Sequence, residues 1–356
     1  MTDGKPANHR AASVGIAQTL PERLPWPDLA RGICVILVVA MHIYEVHYTA
    51  WLADAPLSKA WDIVVSAAQP IRMPLFFLIS GYLCANSIYR PWRAVMRKRI
   101  FSIVYLYYVW LGLYAFVAFG ETLAQEVAFT PEAFIRQLFW PSTSLWYLYG
   151  LVAYFLIARA TSRIPPWALI LITAVISVAG TTAFDGTLQY LSRCLFFFVI
   201  GCRWPQIVRT ITINAHWRTA TAALAGYAVA CIFALWAGQK TLGVAMVTSI
   251  VGLYLALQLA TLIGPHKISK PFQFIGRNTL AIFVLHPILL KTINLIFEAN
   301  PSIVSWIRAQ TLIAASYPLM LTASLVTLCL LIEKGATTCH AAFLFRMPQH
   351  PTTQLK

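Results

Sequence analysis

Charge is scarce in this chain. Asp, Glu, Lys and Arg make up only 11% of its 356 residues, against 59% hydrophobic residues and a mean hydropathy of +0.68. A soluble domain carries about a quarter charged residues, so too few are present to cover the surface of a soluble fold of this length. Acidic residues are the rarest, 12 against 27 basic, for a net charge of +15. That balance invites a nucleic-acid partner. The basic residues argue against one, because they recur in short clusters between apolar runs, as cytoplasmic loops of a membrane protein do.

Other absences narrow the chemistry. The cysteines (34, 84, 194, 202, 231, 329 and 339) contain no CxxC pair and no metal-ligand spacing, so neither a disulfide framework nor a metal site is expected. There is no Walker loop, no dinucleotide-binding glycine fingerprint and no HExxH pair, hence no permanently bound cofactor is expected. Residues 1–24 are polar and lack the apolar core of a cleavable signal peptide. No repeat with a period of 20–50 residues stands out.

What the chain has is long apolar runs. Each span needs about 20 residues, and ten candidates are present: 29–49, 66–88, 100–119, 144–162, 166–184, 187–206, 217–237, 241–263, 273–297 and 310–333. The second is expected to start near Leu57 as an amphipathic lead-in broken by Pro70 and Pro74. The fifth and sixth are divided only by a tight turn, Phe184-Asp185-Gly186. Basic residues concentrate on one set of alternate connections, most densely at 90–99, while the other set holds only Lys59, Arg136, Lys240 and Arg308. That asymmetry places both termini in the cytoplasm. The expected fold is an all-α, polytopic integral membrane helix bundle of about ten transmembrane helices. A disordered cytoplasmic tail (1–24), a transmembrane domain (25–335) and a second cytoplasmic tail (336–356) make up the expected organisation.

Ionisable groups inside a bilayer are costly and mark functional interiors. Arg31 and His42 lie eleven residues apart in the first span. That step is about 20° past three helical turns and about 16 Å along the axis, so the two share a face. Glu45 follows His42 by three residues and can share that face too. An imidazole titrates near neutrality and suits general base catalysis, with Glu45 or another carboxylate to orient it. A nucleophilic, covalent role for the imidazole stays open. Arg72, in the outer half of the second span and level with His42, needs an anionic partner, Glu45 or Asp62, or a polar cavity. Ser80-Gly81 reads as a close-packing point between helices rather than a nucleophile. Arg193 lies in the sixth span. Trp146 and Tyr147 open the fourth, either as interfacial aromatics or as a sugar-stacking platform. Arg277, Asn278 and His286 repeat the layout of the first span, basic at one end and histidine in the middle. His286 is either a site residue or a packing residue beside its Pro287 kink.

Three stretches carry a resemblance: Asp28-Leu-Ala-Arg31-Gly32 through His42; Arg72-Met-Pro-Leu-Phe-Phe-Leu-Ile-Ser80-Gly81-Tyr82-Leu83; and Gly276-Arg277-Asn278-Thr279-Leu280 through His286. A fourth, weaker one is Leu145-Trp146-Tyr147-Leu148. In their order the chain resembles the acyltransferase-3 family of membrane O-acyltransferases, within it the fucose 4-O-acetylase-like and inner-membrane subgroup of bacteria. The resemblance implies a ten-helix bundle in the bacterial inner membrane. It would move an acyl group, commonly acetyl, from cytoplasmic acyl-CoA to a sugar hydroxyl of an envelope or exported polysaccharide or its lipid-linked precursor. It implies acyl-CoA, a glycan acceptor, the lipid bilayer and polysaccharide-assembly proteins as partners. By matching motif, Arg31 and His42 are the family's arginine–histidine pair and Arg72 its arginine before the Phe-Phe-Ser-Gly-Tyr block; with Glu45, placed by its spacing from His42, they are the expected catalytic residues. Arg193, Trp146, Tyr147, His286, Arg277 and Asn278 contact substrate. Gln69 stands where many relatives carry a second arginine. The rival class is a proton-coupled transporter of a small anionic or sugar substrate, which midplane histidines and arginines also suit. No inverted repeat of broken helices supports it.

Overall fold

The computed structural model describes residues 24–125, 131–140, 144–238 and 240–348. All regular elements among the described residues are helices. That follows from the apolar runs, since backbone polar groups in lipid must be satisfied within the segment. Ten helices occupy the ten expected stretches: α1 Pro25–His42, α2 Ser58–Cys84, α3 Ser102–Gln125, α4 Trp146–Ala160, α5 Pro166–Ala183, α6 Gly186–Arg203, α7 Trp217–Ala237, α8 Val244–Ile263, α9 Thr279–Ala299 and α10 Thr311–Thr338. Eight of these stretches, all but α4 and α6, are long and apolar enough to cross a membrane. A ninth span arises if α6 is joined to the short helix Pro205–Ile213, from which it is bent by 78°. α4 is apolar but only 15 residues long. Among the described residues, length and composition thus support eight or more spans, with the bent α6 pair as a ninth and the shorter apolar α4 beside them. Of the tail expected over residues 1–24, all but Leu24 lies outside the described residues, as do residues 349–356, Ser142 and Thr143.

Two boundaries differ from expectation for local reasons. The prolines do not break α2, which runs unbroken through Pro70 and Pro74. A proline ring removes a helical N–H and frees carbonyls one turn back. Here side chains occupy that stretch of backbone: the Tyr227 hydroxyl of α7 donates to the Ala67 carbonyl, and Arg72 Nη1 donates to the Val65 carbonyl at 3.4 Å. Conversely, the stretch expected as one helix over 273–297 is split. A short helix, Lys270–Arg277, ends at Asn278 (φ −113°, ψ 26°) and α9 starts afresh at Thr279. The Asn278 amide donates to the Phe274 carbonyl at 2.9 Å, satisfying an end-of-helix acceptor.

Helix pairs are drawn together by glycines. A Cβ on Gly32 of α1 would overlap the Phe272 carbonyl oxygen, and one on Gly276 would overlap that of Asp28. The α2–α6 crossing repeats the device: a Cβ on Gly81 would strike the Phe198 carbonyl, and one on Gly201 the Leu78 carbonyl. Such reciprocal pairs let backbones touch, which is how helices associate where lipid removes the hydrophobic drive. The expected packing role of Ser80-Gly81 is thus served by Gly81. After α10 the chain folds back. Trp110 Nε1 of α3 donates to the Leu344 carbonyl at 2.7 Å, Tyr105 to that of Phe343 at 3.1 Å, and Phe345 is buried.

Candidate active site

The crossing of α1 with the Lys270–Arg277 helix fixes how α1 and α9 run on together. The same number of residues separates Gly32 from His42 and Gly276 from His286. The two imidazoles meet, stacked with ring centroids 5.1 Å apart and planes 17° from parallel. They line a cavity of about 200 Å³, together with Met41 and Glu45 from α1 and its continuation, Gln69 and Arg72 from α2, Ser144 and Trp146 at the start of α4, Tyr190 and Arg193 from α6, and Phe283 from α9. We call this the His42 chamber.

Counting hydrogen bonds separates structural from uncommitted groups, because buried polar atoms are normally paired. Three histidines show the range. His47 is saturated: Nδ1 meets Asn294 Oδ1 at 2.5 Å and Nε2 meets the Tyr317 hydroxyl at 2.8 Å, with Trp51 Nε1 on the same Asn294 oxygen at 3.0 Å. This network anchors the π-helical turn Ile43–Tyr48 that follows α1. His286 is half committed. Its Nδ1 lies 2.7 Å from the Ile282 carbonyl, which can only accept, so Nδ1 carries the hydrogen. Its Nε2 is buried without a partner. His42 has no hydrogen bond at either nitrogen among the described residues.

The arginines divide the same way. Arg203, 6% exposed, donates to the carbonyls of Ala158, Thr161, Ser162 and Ile164 and so caps the end of α4. Arg72, 4% exposed, makes one long hydrogen bond, to Val65. Arg193 donates to Ser249 Oγ at 2.9 Å and to the Ala245 carbonyl at 3.5 Å, while its Nε has no partner. Among the described residues neither chamber arginine forms an ion pair, although Glu45 is near enough to Arg72 for their charges to interact. Two buried cations and one exposed carboxylate thus line the same small cavity. That arrangement favours a negative charge, permanent or developing.

The structure places the sequence-predicted residues unequally. His42, Glu45, Arg72, Arg193, Trp146 and His286 come together in the chamber. Arg31 does not. It lines a second cavity of about 170 Å³ with Ser80, Cys84, Arg99 and Tyr147. Arg31 Nη2 donates to Thr279 Oγ1 at 3.1 Å, and its guanidinium lies 5.7 Å from the Phe76 ring centroid. Between the two cavities stands an aromatic wall. Tyr147 packs edge-on against Phe76 (4.8 Å) and Phe283 (5.3 Å), and its hydroxyl is 3.1 Å from Ser80 Oγ. Tyr147 is therefore part of this wall, with its ring enclosed by Phe76, Phe77 and Phe283. Arg277 is exposed on the short helix. Asn278 borders a separate, wide cleft with Glu333, Lys334 and Arg346.

Two pairings expected from sequence are absent. Glu45 does not hydrogen-bond His42, because the π-helical turn that starts at Ile43 changes the i, i+3 geometry that a regular helix would give. Asp62 does not meet Arg72 and instead borders an apolar groove with Ile63, Pro70 and Leu235. Tyr190 was missed. Its spacing of three residues before Arg193 would have placed it on the same helix face.

The family profile described as an acyltransferase domain, that of acyltransferase-3, matches residues 24–333. The chain belongs to that family and is a multi-pass membrane acyltransferase. Among characterised chains it is similar to inner membrane protein YcfT of Escherichia coli (strain K12), 27% identical over 352 residues that cover 92% of this chain and 96% of the relative. No solved structure matches it.

Proposed function

We propose that the protein is an acyl-CoA-dependent O-acyltransferase of the bacterial inner membrane, which passes an acetyl or similar acyl group to a sugar hydroxyl of an envelope or exported glycan. The observation that carries this reading is the pair of cavities on either side of the Tyr147–Phe283 wall, one holding Arg31 and the other the two histidines. With the positive-inside orientation, the Arg31 cavity faces the cytoplasm and the His42 chamber lies toward the outer half. Arg31, Arg99 and the basic residues 90–99 and 267–277 suit the phosphates of CoA, since guanidinium forks match phosphate oxygens. Arg277 contributes to that rim. The pantetheine arm passes Tyr147 and brings the thioester to the chamber.

In the chamber His42 is the reacting group, uncommitted at both nitrogens. Arg72 and Arg193 supply preorganised positive charge for the oxyanion of the tetrahedral intermediate. Trp146 and Tyr190, stacked at 5.8 Å with planes 27° apart, offer a flat aromatic face for a sugar ring. Glu45 stands at the chamber's outer mouth, where an acceptor hydroxyl enters.

The test is transfer of label from radiolabelled acetyl-CoA in membranes, with cell-envelope glycans as acceptors. Label should enter glycan with the wild type. Absence of transfer from acetyl-CoA and from longer acyl-CoAs, by protein shown to be folded, would sink the reading.

A further inference from the structure

The buried, unpartnered Nε2 of His286 has no task in the packing. Pro287 cannot donate to the Phe283 carbonyl, so the helix is locally one hydrogen bond short. The His286 ring turns its Nδ1–H onto the Ile282 carbonyl. The tautomer is thereby set, and in the neutral imidazole Nε2 is a bare lone pair. That nitrogen accepts no hydrogen bond from any described residue, in a ring that is 1% exposed and lines the chamber. A nitrogen in this state can only accept a proton. The neighbouring His42 is uncommitted and can act as a nucleophile.

Resting on the acyl-transfer reading above, we propose that His42 carries the acyl group as an acyl-imidazole and that His286 is the base that discharges it. In the first half-reaction a His42 nitrogen attacks the thioester carbon, a C–N bond forms and the C–S bond breaks. The sulfur leaves with the bonding pair and takes the proton from the other His42 nitrogen, giving CoA thiol and a neutral acyl-imidazole. In the second, the acceptor oxygen attacks the acyl carbon while its proton passes to His286 Nε2. The C–N bond breaks, and His42 leaves with the pair and takes that proton from His286. Both rings end neutral, and the sum is thioester plus alcohol to ester plus thiol.

The stacking suits this order. An N-acyl group is conjugated with its imidazole and lies in the ring plane. A hydroxyl hydrogen-bonded to His286 Nε2 lies in the plane of that second ring. With the planes 17° from parallel, the hydroxyl approaches the acyl carbon from above its plane, the direction from which a carbonyl carbon is attacked. The acyl group then stays on His42 in the chamber, and the CoA thiol withdraws to the Arg31 side of the wall.

The experiment uses full-length protein in detergent or nanodiscs with [14C]acetyl-CoA. His286→Asn keeps an amide able to bond the Ile282 carbonyl and removes the Nε2 lone pair. His286→Gln places a non-basic amide at the Nε2 position. Either variant that stays monodisperse decides. The expected result is turnover reduced on the order of a hundredfold or more, with label retained on His42, located by mass spectrometry and released by neutral hydroxylamine. His42→Ala should take up no label. Turnover at the wild-type rate in His286→Asn would overturn the proposal, because only the bond to Ile282 would then matter. Slowed turnover without label on His42 would overturn it as well. A wild type that consumes no acyl-CoA would instead sink acyl transfer itself.

Discussion

The two cavities on either side of the Tyr147–Phe283 wall are similar in size but opposite in state. In the Arg31 cavity the principal cation is partly engaged, by Thr279 Oγ1 and the Phe76 face. In the His42 chamber two arginines and two histidines keep donors and acceptors free. Buried polar atoms left unpaired cost stability; of the four among the described residues, Arg193 Nε and His286 Nε2 belong to the chamber, while the others are Arg31 Nε and Arg203 Nε. The Arg31 cavity has the character of a port that holds a substrate's charged end. Arg203, equally buried but bonded to four carbonyls, shows that burial alone does not distinguish a functional arginine.

Substitutions on each side of the wall should separate the two roles. Arg193→Gln and Arg72→Gln should lower kcat by about 10²–10³, the usual loss for an oxyanion donor, with KM for acyl-CoA little changed. Steady-state kinetics at saturating acceptor would check this, and an equal rise in KM would erase the distinction. Arg31→Gln should instead raise KM for acyl-CoA by roughly tenfold, since one charge-assisted bond is worth about 1.5–3 kcal/mol. Tyr147→Ala opens the wall and should increase acyl-CoA hydrolysis several-fold in the absence of acceptor, read as thiol release. Unchanged hydrolysis would mean that the wall does not govern access. Arg203→Gln should leave both kinetic constants near wild type and lower the unfolding midpoint in detergent, because it touches only the end of α4.

Much of the bundle was legible because apolar length and helical period are local properties. All ten apolar stretches contain a helix, and the α5–α6 turn falls at Phe184–Gly186, with Gly186 at φ +61°. Boundaries set by partners were not legible. The contacts along the proline-containing stretch of α2 include Tyr227, far away in sequence, on the Ala67 carbonyl. The break at Asn278 lies two residues after Gly276, whose backbone touches that of Asp28, far away in sequence. In the site, facing residues on one helix were placed by angle, which brought Arg31 and His42 into one line. A line along a helix can still pass through two cavities, and the wall between them is built from α2, α4 and α9. Nor could spacing show that His42 would meet His286 rather than Glu45, because a π-helical turn intervenes and its anchor, Asn294 with Tyr317, comes from α9 and α10.

The central claim is that binding and reaction sit on opposite sides of the wall. The most direct test is the full kinetic comparison of His42→Ala with Arg31→Gln for acyl transfer from acetyl-CoA. The account predicts that His42→Ala loses on the order of a thousandfold in kcat, with KM for acyl-CoA within about twofold of wild type, while Arg31→Gln does the reverse. A His42→Ala protein that is folded and keeps full transfer would contradict it, as would two variants impaired in the same constant to the same degree.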